Sequence, residues 1–160
     1  MEAWHDFLVA QVGASAALGG LLFVGLSLNL EKIVSLAGVA ERAQITLVMI
    51  LATLLLGSLL LIPRQEFLPL GAEGLAVGIA TVAMGTRFGL RAMHASPPDY
   101  RGRVFLSLAF FWAATLPYII GGLLLLAGHD SGMYWIAGAI CVSLIKAMLD
   151  AWVLLIEINR

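Results

Sequence analysis

The run from Tyr134 to Glu157 sets the strongest limit on what this chain can become. It is apolar and long enough to cross a bilayer, yet it holds Lys146 near its middle and Asp150 four residues further on. In a helix that spacing puts the two groups on one face, about one turn apart. A lone charge at mid-membrane costs about 2.5–3.5 kcal/mol on insertion scales. The segment is therefore expected to be a transmembrane helix whose ammonium and carboxylate face protein or water.

Four further apolar runs precede it, and their boundaries are read as about 7–30, 43–62, 67–90 and 104–128, with the last span at 134–157. The composition agrees: 61% of the residues are hydrophobic and only 12% charged, where soluble chains carry about 25% charge. The expected fold is all-α, a single transmembrane domain (residues 1–160) built as a bundle of five helices. The alternative is four spans plus a re-entrant or interfacial N-terminal helix. The net charge of −1 offers no basic field for nucleic acid. The lone cysteine, Cys141, excludes a disulfide framework and a cysteine-based metal site. The first apolar run lacks a basic leader and reads as a retained helix.

The first span is rich in small residues, including Gly13, Gly19 and Gly20, at spacings that let a second helix approach closely. Its polar members Gln11, Ser15 and Asn29 fall within about 40° on a helical wheel and are expected to look inward. The second span has little polar patterning and reads as the most lipid-facing helix. Pro63 ends it, and 63–66 form a tight turn. On the third span Gly74 and Gly78 make a packing step, while Glu73, Met84, Arg87 and Arg91 share an inward arc of about 60°. A polar loop over 93–103, broken by Pro97-Pro98, leads to the fourth span, whose Pro117 deprives the Ala113 carbonyl of its helical partner. On the fifth, Trp135, Ala139, Ser143, Lys146, Asp150, Val153 and Glu157 form one stripe of about 80°.

The distribution of Lys and Arg orients the spans. Lys32, Arg42, Arg91, Arg101, Arg103 and Arg160 fall on one side and Arg64 on the other, which predicts an external N-terminus and a cytoplasmic C-terminus. Trp4, Tyr100, Tyr134, Trp135 and Trp152 are expected interfacial anchors, and Trp112 a mid-span packing residue.

Depth at about 1.5 Å per residue places Arg87 within about 5 Å of the level of Asp150, so a network of Lys146, Asp150 and Arg87 is expected. Such a charge pair is either a structural tie or a gate that breaks and reforms as an ion or proton passes. The expected ion-pathway or gating residues are Lys146, Asp150, Glu73, Arg87, Asn29 and Gln11. Glu2, Asp6, Glu66 and Asp130 would form an outer acidic vestibule that attracts cations. His5-Asp6 and His129-Asp130 do not match a metal motif, and neither metal nor cofactor is expected. Hydrolase, zincin and phosphate-loop motifs are missing from the sequence, so a non-enzymatic role is expected.

Trp4-His5-Asp6-Phe7, the run from Val12 to Leu30 (VGASAALGGLLFVGLSLNL) and the ending Ala151 to Ile158 (AWVLLIEI) resemble small bacterial multi-pass inner-membrane proteins of unassigned function. The resemblance covers the two terminal helices. It implies a bacterial inner-membrane location and supplies no catalytic residue. Together these readings point to a homo-oligomeric ion channel or channel-like transporter for a small ion or proton, with lipid around it. The alternative is a non-conducting adaptor or regulatory subunit that meets a membrane protein partner through helix–helix contacts.

Overall fold

The computed structural model describes residues 2–36 and 38–158, with side chains for 4–36 and 38–156. These residues form six helices, α1 Glu2–Leu28, α2 Leu30–Ser35, α3 Val39–Leu60, α4 Phe67–Ala95, α5 Pro98–Leu126 and α6 Gly132–Ile158. Five of them are long and apolar enough to span a membrane, so this is an integral membrane protein. Helix is what such sequences must form, because lipid offers no partner for an unpaired backbone amide or carbonyl.

α3, α4, α5 and α6 contact one another in a closed ring, each antiparallel to its neighbours, and α1 packs outside the ring on α3. At one end of the bundle Trp4 of α1 meets Tyr134 of α6 edge-to-face, ring centroids 4.9 Å apart. The short α2 lies at the opposite end. Its Ile33 is buried with Val39, Ala43 and Leu154, tucking α2 under α3 and α6.

The connections follow from local chemistry. Arg64 takes a left-handed φ of 60° in the turn after Pro63. Gly128, at φ 79°, ends α5 while the His129 amide returns to the Leu124 carbonyl, a helix stop that favours glycine at the left-handed position. The expected loop over 93–103 shrinks to Ser96-Pro97, since Pro98 sits at the first position of α5, where a proline lacks nothing the helix needs. The extra turns, at the end of α4 and the start of α5, carry Arg91, His94, Asp99, Arg101 and Arg103 and so fall outside the spans that hydropathy marks. Asn29 falls at the break between α1 and α2, outside the first span.

Two expectations about faces are corrected. α3 is the most enclosed span rather than the most lipid-facing: 50% of its central window is buried against 17% for α1. A helix apolar all round suits the middle of a bundle as well as lipid, and α3 touches α1, α4 and α6. On α4 the inward face is not the polar arc. Leu70, Gly71, Gly74, Val77, Gly78, Thr81, Gly85 and Gly89 are buried, whereas Met84, Arg87 and Arg91 are exposed and Glu73 is half-buried. The cause is backbone proximity. A Cβ on Gly122 would lie 2.5 Å from the Leu75 amide nitrogen, and one on Gly71 2.5 Å from that of Leu126. Glycine alone permits that approach of α4 and α5.

Candidate functional site

Three polar seams tie the helices together. Between α1 and α3, Gln11 Nε2 donates to Ser15 Oγ (2.7 Å) and to the Thr53 carbonyl (3.0 Å). Ser15 in turn donates to Thr53 Oγ1 at 3.0 Å, because that hydroxyl spends its own proton on the Ile50 carbonyl. Gly57 makes room for the clamp: a Cβ there would collide with Gln11 Oε1. Between α4 and α5, Trp112 Nε1 donates to Thr86 Oγ1 at 2.8 Å, a packing role for that ring. Between α5 and α6, the Tyr118 hydroxyl donates to Ser143 Oγ at 3.1 Å.

The fourth polar contact carries charge. Lys146 and Asp150 form an ion pair along α6, with side-chain exposures of 11% and 18%. Lys146 Nζ also donates to Ser107 Oγ of α5 at 3.1 Å. The third member of the network is therefore Ser107, not Arg87, which is exposed on α4. Lys146 stands 12 residues from the end of α6 at Ile158, roughly 18 Å along the axis, so the pair lies well inside the span. Two donated contacts, one of them to a carboxylate, offset much of the cost of placing an ammonium there.

Ser107 has a second environment. It lines a cavity of about 500 Å³ that occupies the end of the four-helix ring near α2. Arg42, Ser96, Tyr100 and Arg103 give it a polar part, and Ile45, Gly89, Val104, Leu108, Phe111 and Val153 an apolar part. Leu108 and Phe111 belong to a buried cluster with Met49, Ile50, Ala114 and Ala147. Beyond it the ring is filled by Leu56, Tyr118, Ile136 and Ile140. The cavity is thus a vestibule at one end of the bundle that reaches Ser107, the residue that holds Lys146; Lys146 and Asp150 themselves do not line it, and packed side chains close it above.

No family model, curated protein or solved structure matches this chain. The residues themselves therefore carry the functional argument.

The remaining expected pathway residues are dispersed. Gln11 is locked in the α1–α3 clamp, its Oε1 buried without a partner. Asn29 returns its amide to the Gly25 carbonyl at 2.9 Å. Glu73, at the other end of the bundle, accepts from Gln65 Nε2 at 2.9 Å, and its second oxygen is buried without a partner. Asp6, Glu66 and Asp130 are exposed at that same end, while the side chain of Glu2 lies outside the described residues. No group of three or more metal-ligating side chains is found among the described residues.

Of the expected packing glycines, Gly74 and Gly78 sit in the α4–α5 seam, and Gly19 faces Ile50 of α3. Gly13 and Gly20 meet nothing within 4 Å. Pro117 stays within an unbroken α5 and borders an apolar groove of about 290 Å³ shared with Ala113, Trp135 and Gly138. Sequence reasoning missed Ser107. The signal was there: it is a polar residue nine positions inside α5, roughly 14 Å from that helix's start at Pro98 and so at the level of Lys146 and Asp150.

Proposed function

We propose that this protein is a channel-like membrane transporter for a small ion or proton, with Lys146 and Asp150 as its gate. One observation carries the reading: Ser107 lines the vestibule and also holds Lys146. In the resting arrangement Lys146 is shared by Asp150 and Ser107, and packed side chains block the far half of the ring. An anion arriving at Ser107 competes with Asp150 for the ammonium, and a proton delivered to Asp150 releases it. Either event breaks the pair within α6, and the Lys146–Ser107 bond must then open as well for α6 to shift against α5.

Arg42 and Arg103 at the vestibule favour anions over inorganic cations at that entrance. The excess of Lys and Arg at the same end supports a cytoplasmic vestibule and an external N-terminus. The termini's resemblance supports the bacterial inner membrane. The open small-residue face of α1, where Gly13 and Gly20 have no neighbour within 4 Å, supports self-association into a homo-oligomer.

The test is flux through purified protein in liposomes, for cations, anions and protons across a range of pH. Transport faster than through empty vesicles, lost in Lys146→Met/Asp150→Leu while the bundle stays folded, is the expected result. No flux of any of the three at any pH would end this reading. The same α1 face favours a second one, a non-conducting adaptor that receives a partner helix. Absence of flux together with a distinct membrane protein bound along α1 would establish it.

A further inference from the structure

α4 carries two arginines on the side it turns away from the bundle. Gly85 and Gly89, which face Phe111 and Leu108 of α5, lie about 160° around the helix from Arg87. Arg87 and Arg91 are both exposed, and neither lines the vestibule. Among the described residues neither makes an ion pair or a hydrogen bond. Four residues apart, they share one face, with their Cβ atoms about 5–6 Å from each other.

Their depth gives the pair its meaning. α4 has 29 residues, roughly 44 Å of helix, against a hydrocarbon core of about 30 Å. Centred on that core, it overhangs by about 7 Å at each end. Arg91 stands four residues, roughly 6 Å, from the end at Ala95, and Arg87 eight residues, roughly 12 Å. Arg91 is thus at the hydrocarbon boundary, and Arg87 is about one turn inside it. A guanidinium there is costly unless it snorkels to the interface or draws an anion to itself. Like charges one turn apart also repel, more strongly where the dielectric is low. One phosphate between them answers both charges, because each guanidinium can offer it paired hydrogen bonds.

We infer that Arg87 and Arg91 seat an anionic phospholipid of the leaflet at the α2 end of the bundle, its phosphate held between the two guanidinia. Position selects a lipid over a dissolved anion, because the seat opens sideways into the bilayer. Charge selects an anionic head over a zwitterionic one, whose ammonium would meet two guanidinia. Beyond Arg87 the same face continues as Ala83, Ala80 and Ala76, all exposed, a low track between the larger Ile79 and Met84 that suits an acyl chain. The inference stands apart from flux, since it concerns the outer surface of α4.

The experiment titrates the full chain in detergent micelles with equal amounts of phosphatidylglycerol and phosphatidylcholine of distinct mass, and counts retained lipid by native mass spectrometry. Phosphatidylglycerol is expected to be preferred at least about fivefold, with one tight site per chain. Arg87→Gln and Arg91→Gln should each weaken it about fivefold, and Arg87→Lys, which keeps the charge, by less. Removing a charge from the span does not hinder insertion, so these variants should fold. Arg64→Gln, the same charge loss at an exposed position at the other end, should leave binding unchanged. Equal retention of the two lipids, or equal loss in Arg64→Gln and Arg87→Gln, would overturn the inference. So would displacement of the lipid by inorganic phosphate, which would make the ligand a dissolved anion. A change in chains per particle in Arg87→Gln with lipid retention unaltered would also overturn it, giving the seat to a second copy. Preferred binding without flux would refute transport alone, and flux without lipid preference would refute this inference alone.

Discussion

Gly122→Ala tests the helix packing that holds the ring together. The new Cβ would fall 2.5 Å from the Leu75 amide nitrogen, 2.9 Å from Leu75 Cα and 3.0 Å from the Gly71 carbonyl oxygen. All three are backbone atoms, so no side-chain rotation relieves the clash. Carbon atoms rest about 3.5–4.0 Å from their neighbours, so α4 and α5 must separate by about 1 Å along this seam. A gap of that size forfeits a quarter to a half of each van der Waals contact it opens, and overpacking of this kind costs about 1–3 kcal/mol. The upper half of that range is expected here, because the seam runs on through Gly74 and Gly78. Gly71→Ala strikes the same seam from the other side, its Cβ 2.9 Å from the Gly122 carbonyl oxygen. The double variant should therefore cost less than the sum of the singles. Gly20→Ala is the control: nothing lies within 4 Å of it, so it should be neutral or gain up to about 1 kcal/mol of helix propensity. The assay is reversible unfolding in mixed micelles, or thermal aggregation in detergent read as a melting shift. Equal effects at Gly122 and Gly20, or additive costs at Gly71 and Gly122, would refute the reasoning.

Three further outcomes are expected. Lys146→Met strands Asp150 inside the span and should cost about 2–4 kcal/mol of unfolding stability, whereas Lys146→Met/Asp150→Leu should recover most of it; failure to recover would mean the carboxylate is held by something other than Lys146. Gln11→Leu removes two donated bonds but also an oxygen with no partner, so it should cost about 1 kcal/mol or less, near the usual worth of polar contacts between membrane helices; a loss of several kcal/mol would give the clamp a larger role than its geometry supports. With Cys141 replaced by Ala, cysteines at Gly102 and His129 should react with an impermeant thiol reagent from opposite faces of oriented vesicles, and labelling of both from one face would break the five-span arrangement.

Much of this architecture is written in the hydropathy, and some is not. The five spans, the stop at Pro63 and the turn near His129 follow from apolar length and from residues that cannot continue a helix. Gln11 and Ser15 are legible too, because a polar pair four residues apart in an apolar run has few places to go. The setting of α3 is not legible, since a helix without polar residues carries no mark of which side meets lipid. On α4 the wheel misleads: charge suggests an inside, yet the glycines claim it, and Arg87 and Arg91 are left exposed. Ser107 is hidden for another reason. A serine in a span has several innocent uses, and only its level beside Lys146 distinguishes it. The vestibule has no sequence signature at all, because α3, α4, α5, α6 and the connections before α3 and α5 all contribute to it.

The central claim is that the charge pair of α6 communicates with water through one end of the bundle. The most direct measurement is the reactivity of Ser107→Cys, in a Cys141→Ala background, toward a membrane-impermeant thiol reagent applied to each side of oriented vesicles. Labelling from the side that carries Arg42 and Arg103, and none from the side that carries Glu66 and Asp130, is the result predicted. Protection from both sides, or labelling only by a membrane-permeant reagent, would contradict it.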